Sequence, residues 1–168
     1  MRAYRPEAYA ALHTGVRVLP TDLKSETGRQ ALQRELARTD VLLTSFRPSA
    51  LKRLGLDWPV LHRQHPALNL VAIVGAPGPA AEIPGHDLTY MAEQDLIKGL
   101  ALPPSLFADM GGALLACEAV LLALRLRQQK GSGTRHEVAL SEAAAWLGLP
   151  RRWGLVTPKS AVGGGHAG

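Results

Sequence analysis

Short unbroken apolar runs alternate along the chain with stretches in which apolar residues recur every three or four positions, the mark of strands interleaved with helices. Val16-Arg17-Val18-Leu19 is the first expected strand. Ser25 reads as an N-cap, with Glu26 in the first turn of a helix running to about Arg38; Leu32 and Leu36, four apart, lie on its expected buried face. Asp40 to Thr44 and Leu68 to Val74 are continuous apolar runs, the pattern of strands covered on both faces of a parallel sheet. Between them, Ser49 to Leu54 and Trp58 to Gln64 predict two short helices. Pro59 suits a first turn and Pro66 follows an end.

The segment Gly75 to Gly85 is rich in Gly and Pro and is expected to be an irregular loop. From His86 to Leu100 the pattern is mostly helical, and Pro103-Pro104 interrupts it. Gly111 to Gln129 has the clearest helical period: Leu114, Cys117, Leu121 and Leu124 mark one face, and Lys130-Gly131 marks the stop. Arg135 to Leu140 predicts a strand and Ser141-Glu142 the start of a last helix through Trp146. The tail Gly163 to Gly168 is expected to be mobile. This alternation predicts an α/β fold, an open and mostly parallel sheet flanked by helices.

Composition narrows the function classes. The chain has 168 residues, 46% hydrophobic and 20% charged, which suits one globular domain rather than a fibrous or disordered chain. No uninterrupted apolar run reaches the roughly 18–20 residues of a membrane span, so no membrane insertion is expected. The start lacks the apolar core of a signal peptide, and the single Cys117 fits a reducing compartment, so a cytoplasmic location is expected. His62 and His65 are three apart with no Cys or carboxylate placed to complete a site; no metal is expected. The net charge is +5, but the Lys and Arg residues are scattered and the aromatics are few: three Trp, three Tyr and two Phe. That pattern argues against nucleic acid. Arg151-Arg152 and the Arg125/Arg127/Lys130 group sit at expected helix ends, where cations meet the negative end of the helix dipole.

Open α/β sheets bind ligands beyond the carboxyl ends of their strands, which points to the region from Gly75 to Gly112. The strand ending at Val74 runs into the Gly/Pro loop and then His86-Asp87; Asp109 stands just before Gly111-Gly112. On spacing alone, Asp109 is equally a helix cap, and His86-Asp87 equally a helix start.

A set of dispersed motifs goes further. Asp22-Leu23-Lys24-Ser25, Gly28-Arg29, Asp40-Val41-Leu42, Ser45-Phe46-Arg47-Pro48, Leu51 through Leu56, Gly78-Pro79, Pro84-Gly85-His86-Asp87-Leu88-Thr89-Tyr90, Ala108-Asp109-Met110-Gly111-Gly112-Ala113 and Gly131-Ser132-Gly133 through Ser141 occur in this order. The chain thereby resembles the class III CoA-transferase family, the CaiB/BaiF-like proteins that include the α-methylacyl-CoA racemases. The resemblance runs from about residue 16 to residue 168 and matches the central part of typical members, which are more than twice as long. It implies one partial Rossmann-like domain over residues 1–168. A nucleotide-binding α/β part takes 16–85, a helical and strand part with the candidate catalytic residues takes 86–150, and a mobile tail takes 151–168. It further implies a homodimer, or a partner subunit supplying the missing segments.

By resemblance, Lys24, Arg47, Arg53 and Gly85 match CoA-contacting positions, and guanidinium groups suit CoA's phosphates because they bind phosphate oxygens bidentately. Coenzyme A enters as a substrate thioester. In a transferase, Asp87 matches the carboxylate that attacks an acyl-CoA and passes CoA between carboxylic acids through an aspartyl intermediate. In a racemase, His86 and Asp109 match the two bases that move the α-proton, with the backbone at Gly111-Gly112 stabilising the thioester oxygen. A non-catalytic fragment or split subunit is the third reading. The sequence departs from the family at Glu82-Ile83, where a basic residue is usual, and at Gln94-Asp95, where small residues are usual. Tyr90 agrees with the racemase-like motif. A chain lacking neighbouring segments is also expected to expose a sheet edge or an apolar patch, and to self-associate.

Overall fold

The computed structural model describes residues 5–97, 99–100 and 102–155. The chain divides into two compact units, residues 1–35 and 36–168. In the first unit, helix α1 (Pro6–Leu12) opens with Pro at its first turn and was not marked by the apolar pattern. Residues 16–19, expected as a strand, are irregular instead. Val16 and Val18 are more than half exposed, so their alternation fills no core. An Arg17–Glu35 ion pair at 3.0 Å lies in this unit. Helix α2 (Glu26–Leu36) starts where Ser25 predicts: its Oγ accepts the Gly28 N–H at 3.0 Å, so the cap is real. The preceding turn is tight, with the Lys24 N–H donated to Asp22 Oδ1 at 2.9 Å. Only glycine fits at 28, since a Cβ there would strike the Asp22 carbonyl.

The second unit holds a three-stranded parallel sheet in the order β1 (Val41–Thr44), β2 (Asn69–Val74), β3 (Arg135–Ala139). Register pairs Leu42 with Leu70 and Val71 with His136. Helices α3 (Pro48–Arg53) and α4 (Trp58–Gln64) connect β1 to β2. The unbroken apolar run suits β2, which is buried and lies at the centre of the sheet. It overstates β1, an edge strand whose Leu43 is 52% exposed. Three strand starts are stapled by one buried side chain. Asn69 donates Nδ2–H to the Asp40 carbonyl at 3.0 Å and accepts the Thr134 N–H at 2.9 Å. Arg127 reinforces that end through Asp40 at 2.7 Å. The amino ends of the strands are thus locked, and the carboxyl ends face the loops.

Those loops differ from expectation in two places. Gly78–Glu82 forms a 3₁₀ turn within the segment expected to be irregular throughout. Helix α5 (Asp87–Glu93) is shorter than the expected His86–Leu100 because Asp95 takes a left-handed φ of 56°, a conformation aspartate tolerates better than most residues. Helix α6 (Phe107–Lys130) begins four residues before the expected Gly111 and ends at Gly131, whose φ of 71° closes it as predicted. Helices α7 (Leu140–Leu147) and α8 (Leu149–Arg152) follow β3. The stretch 163–168, expected to be mobile, lies outside the described residues.

The leucine face that marks the period of α6 is exposed: Leu114 by 73% and Leu121 by 68%, with Cys117 exposed beside them. Gly112, Ala116 and Ala123 are buried instead. Ala116 packs with Val71 and Val138 of the sheet. Small side chains let a helix backbone approach the strands closely, and the leucines are left outside. Among the described residues α6 alone is long and apolar enough to cross a membrane, with a mean hydropathy of 1.8; the expected absence of such a segment rested on unbroken runs, which Glu118 interrupts.

Candidate active site

Two joints place the candidate residues. At the first, β2 ends at Val74 and the chain turns at Gly75. Tyr90, 5% exposed, is directed at this turn. A Cβ added at Gly75 or at Gly85 would collide with the Tyr90 hydroxyl. Glycine is therefore required at both positions by one buried ring, and this holds the Gly85-His86 step against the end of the sheet. A cavity of about 220 Å³ opens here, beyond β1 and β2, and Arg47, Gly85, His86 and Tyr90 contribute to its wall. Arg47 reaches it because Pro48 fixes the preceding backbone as extended, with ψ at 147°.

The second joint connects the starts of α5 and α6. Asp87, first residue of α5, is 4% exposed, and its Oδ1 accepts the backbone N–H of Asp109 at 2.9 Å. That bond satisfies one of the four amide donors that every helix start leaves without an intrahelical partner. The other oxygen, Oδ2, is buried with no hydrogen-bond partner among the described residues. Tyr90, Met91, Ala108 and Ala144 pack around the joint and exclude water from it. Asp109 itself is exposed, as is His86. Loss of hydration beside the packed helices pushes the Asp109 carboxyl above its ordinary 3.8; the charge of Asp87 adds to this, and His86 pulls the other way. Burial likewise raises the Tyr90 hydroxyl above 10.0, with Glu93 and Asp109 adding to it.

The structure thus brings Asp87, Asp109 and His86 into one electrostatic group, and His86, Gly85 and Arg47 into one cavity wall. Arg53 lies in the last turn of α3, and Lys24 belongs to the first unit. Gly111 and Gly112 serve a different purpose from the expected oxyanion role. Because α6 starts at Phe107, their N–H groups are inside the helical hydrogen-bond ladder. A Cβ at Gly111 would only touch Ala143 and Leu147 of α7, whereas one at Gly112 would overlap the Leu140 side chain, so the missing side chain at 112 serves helix packing. The sequence did not reveal the contact of Ser49 with Glu82, 33 residues apart: Glu82 accepts the Ser49 N–H at 2.6 Å and its hydroxyl at 2.7 Å.

A parallel α/β sheet with a cavity at the carboxyl ends of its strands, a histidine in the wall and two interacting carboxylates next along the chain is the arrangement in which open α/β folds place their ligand sites. Its relatives make the class specific. The model of CoA-transferase family III matches residues 1–155, and the chain belongs to that family. It is 31% identical to human alpha-methylacyl-CoA racemase over 146 residues, 81% of this chain and 38% of the relative. It is 32% identical over 139 residues to the beta subunit of succinyl-CoA–L-malate CoA-transferase from Chloroflexus aurantiacus, 76% of this chain and 34% of that protein. A CaiB/BaiF family protein from Brucella suis superposes with a TM-score of 0.74 at 25% identity, covering 82% of this chain and 39% of that one. The chain therefore spans about two fifths of the length of these relatives.

Proposed function

We propose that the chain carries the acyl-CoA site of a family III enzyme, in which Asp109 is the carboxylate that meets the substrate and Asp87 positions it. One observation carries this reading: Asp87 is buried and spends Oδ1 on the backbone of Asp109, while the Asp109 side chain is exposed. A buried carboxylate with one oxygen committed is a poor nucleophile for a bulky thioester. An exposed, partly desolvated one is a better base, since its raised pKa brings it closer to the working pH.

The reaction best supported is proton transfer at the carbon α to the thioester. Asp109 and exposed His86 act as the two acid–base groups, one removing the α-proton and the other returning it. The electrostatic coupling of these two residues favours it, and the racemase relatives agree. Acyl transfer is the second reading, favoured by the exposure of Asp109 and by the transferase relatives. There Asp109, in place of Asp87, attacks the thioester carbonyl and CoA leaves as thiolate, giving an aspartyl anhydride. In both readings CoA's phosphates are assigned to Arg47 and Arg53, and a second chain completes the site.

The test is incubation with a chiral 2-methylacyl-CoA in deuterated water, alone and with a free carboxylate acceptor. Asp109→Asn is expected to abolish inversion, a loss on the order of 10²-fold or more, while His86 still exchanges the α-proton from its own face. Asp87→Asn is expected to keep the reaction at reduced kcat. Full loss in Asp87→Asn with activity intact in Asp109→Asn overturns the assignment. Transfer without exchange selects the second reading. A chain inert in both assays is a binding or assembly subunit.

A further inference from the structure

The cavity beyond β1 and β2 has two walls. Phe46 and Arg47 come from the connection to α3, and Ala81, Ile83 and Pro84 come from the loop after β2. Glu82 ties them together through its two hydrogen bonds to Ser49 at the start of α3. The Glu82 carboxyl is exposed. It is held below its ordinary value by the Ser49 bonds first, and then by the charges of Arg47 and Arg53. A fixed negative charge therefore stands within electrostatic reach of both arginines. A phosphate arriving there meets positive charge that is already partly neutralised, and it meets a like charge as well.

We propose that Glu82 is an affinity-setting residue, which opposes the phosphates of CoA at Arg47 and Arg53 and so keeps CoA thioesters in rapid exchange. This rests on the assignment of Arg47 and Arg53 to CoA. Its geometric basis is the Ser49 clasp, which holds both oxygens of the Glu82 carboxylate at the start of α3, next to Arg47.

The experiment is calorimetric titration of the full chain with CoA, and with pantetheine, which lacks every phosphate. Glu82→Gln keeps the side chain's shape and one acceptor for Ser49 but removes the charge. At low ionic strength it is expected to bind CoA about threefold to tenfold more tightly, with the gain fading as salt screens the charge and with pantetheine unchanged. Glu82→Lys is expected to shift CoA further in the same direction, so a mild loosening of the loop cannot mask the effect. Equal or weaker CoA binding in both variants overturns the inference, as does an equal gain for pantetheine, which would make Glu82 a matter of loop shape. Arg47→Ala separates the underlying assignment: unchanged CoA affinity there removes the phosphate site itself and the inference with it.

Discussion

Asp87 and Asp109 are the same residue type at the same joint, and their surroundings set them apart. Asp87 loses nearly all its solvent and gains the α6 amide; Asp109 stays exposed, and its carboxyl is raised first by partial loss of hydration and then by the like charge of Asp87. The raised carboxyl of Asp109 has a consequence for stability. The folded protein holds that proton to higher pH than the unfolded chain does, so this contribution is fully present below about 3.8 and is lost as pH rises through the raised folded value. Asp109→Asn removes the dependence. Its urea midpoint relative to the parent is expected to climb across that window and then level off. Parallel midpoints for the two proteins at every pH would show that Asp109 carries no desolvation cost. At this scale the sequence was legible where partners are local. Ser25 caps α2 across three residues and Gly131 closes α6 by its own backbone conformation. The demand for glycine at 85 is not local: it comes from the ring of Tyr90, which the fold brings against it.

Element by element, α6 is the instructive case. It is apolar on nearly every side, so periodicity announces a helix without choosing its buried face. The sheet makes that choice by taking the side that allows closest approach, with Gly112, Ala116 and Ala123. A pair of substitutions checks it. Ala116→Leu, at a position 4% exposed against Val71 and Val138, is expected to cost about 1–3 kcal/mol through overpacking. Leu121→Lys, at a position 68% exposed, is expected to cost less than about 0.5 kcal/mol. Denaturant midpoints decide between the two faces; the reverse order would restore the leucine face to the core. The β1 strand shows the same limit. An apolar run identifies a strand, but its place at the edge depends on what pairs beside it.

For the whole molecule, the second unit leaves large apolar side chains uncovered on α6 and α7, where Leu114, Leu121 and Trp146 are each more than two thirds exposed. Surfaces of that kind drive association in water. Sedimentation is expected to show concentration-dependent self-association, weakened in the triple substitution Leu114→Lys, Leu121→Lys, Trp146→Lys; a monodisperse monomer at high concentration would contradict it. The sequence by itself determined the order of elements in the second unit, the buried strand β2, the start of α2 and the end of α6, and the family. Each of these depends on neighbours within a turn or on motifs read in order along the chain. Only the tertiary structure decided which side of α6 is buried, which of two aspartates is buried and which exposed, and that Glu82 clasps Ser49. Those outcomes rest on contacts between residues 22 or more positions apart, and nothing local in the chain fixes which distant groups the packed sheet and helices bring together.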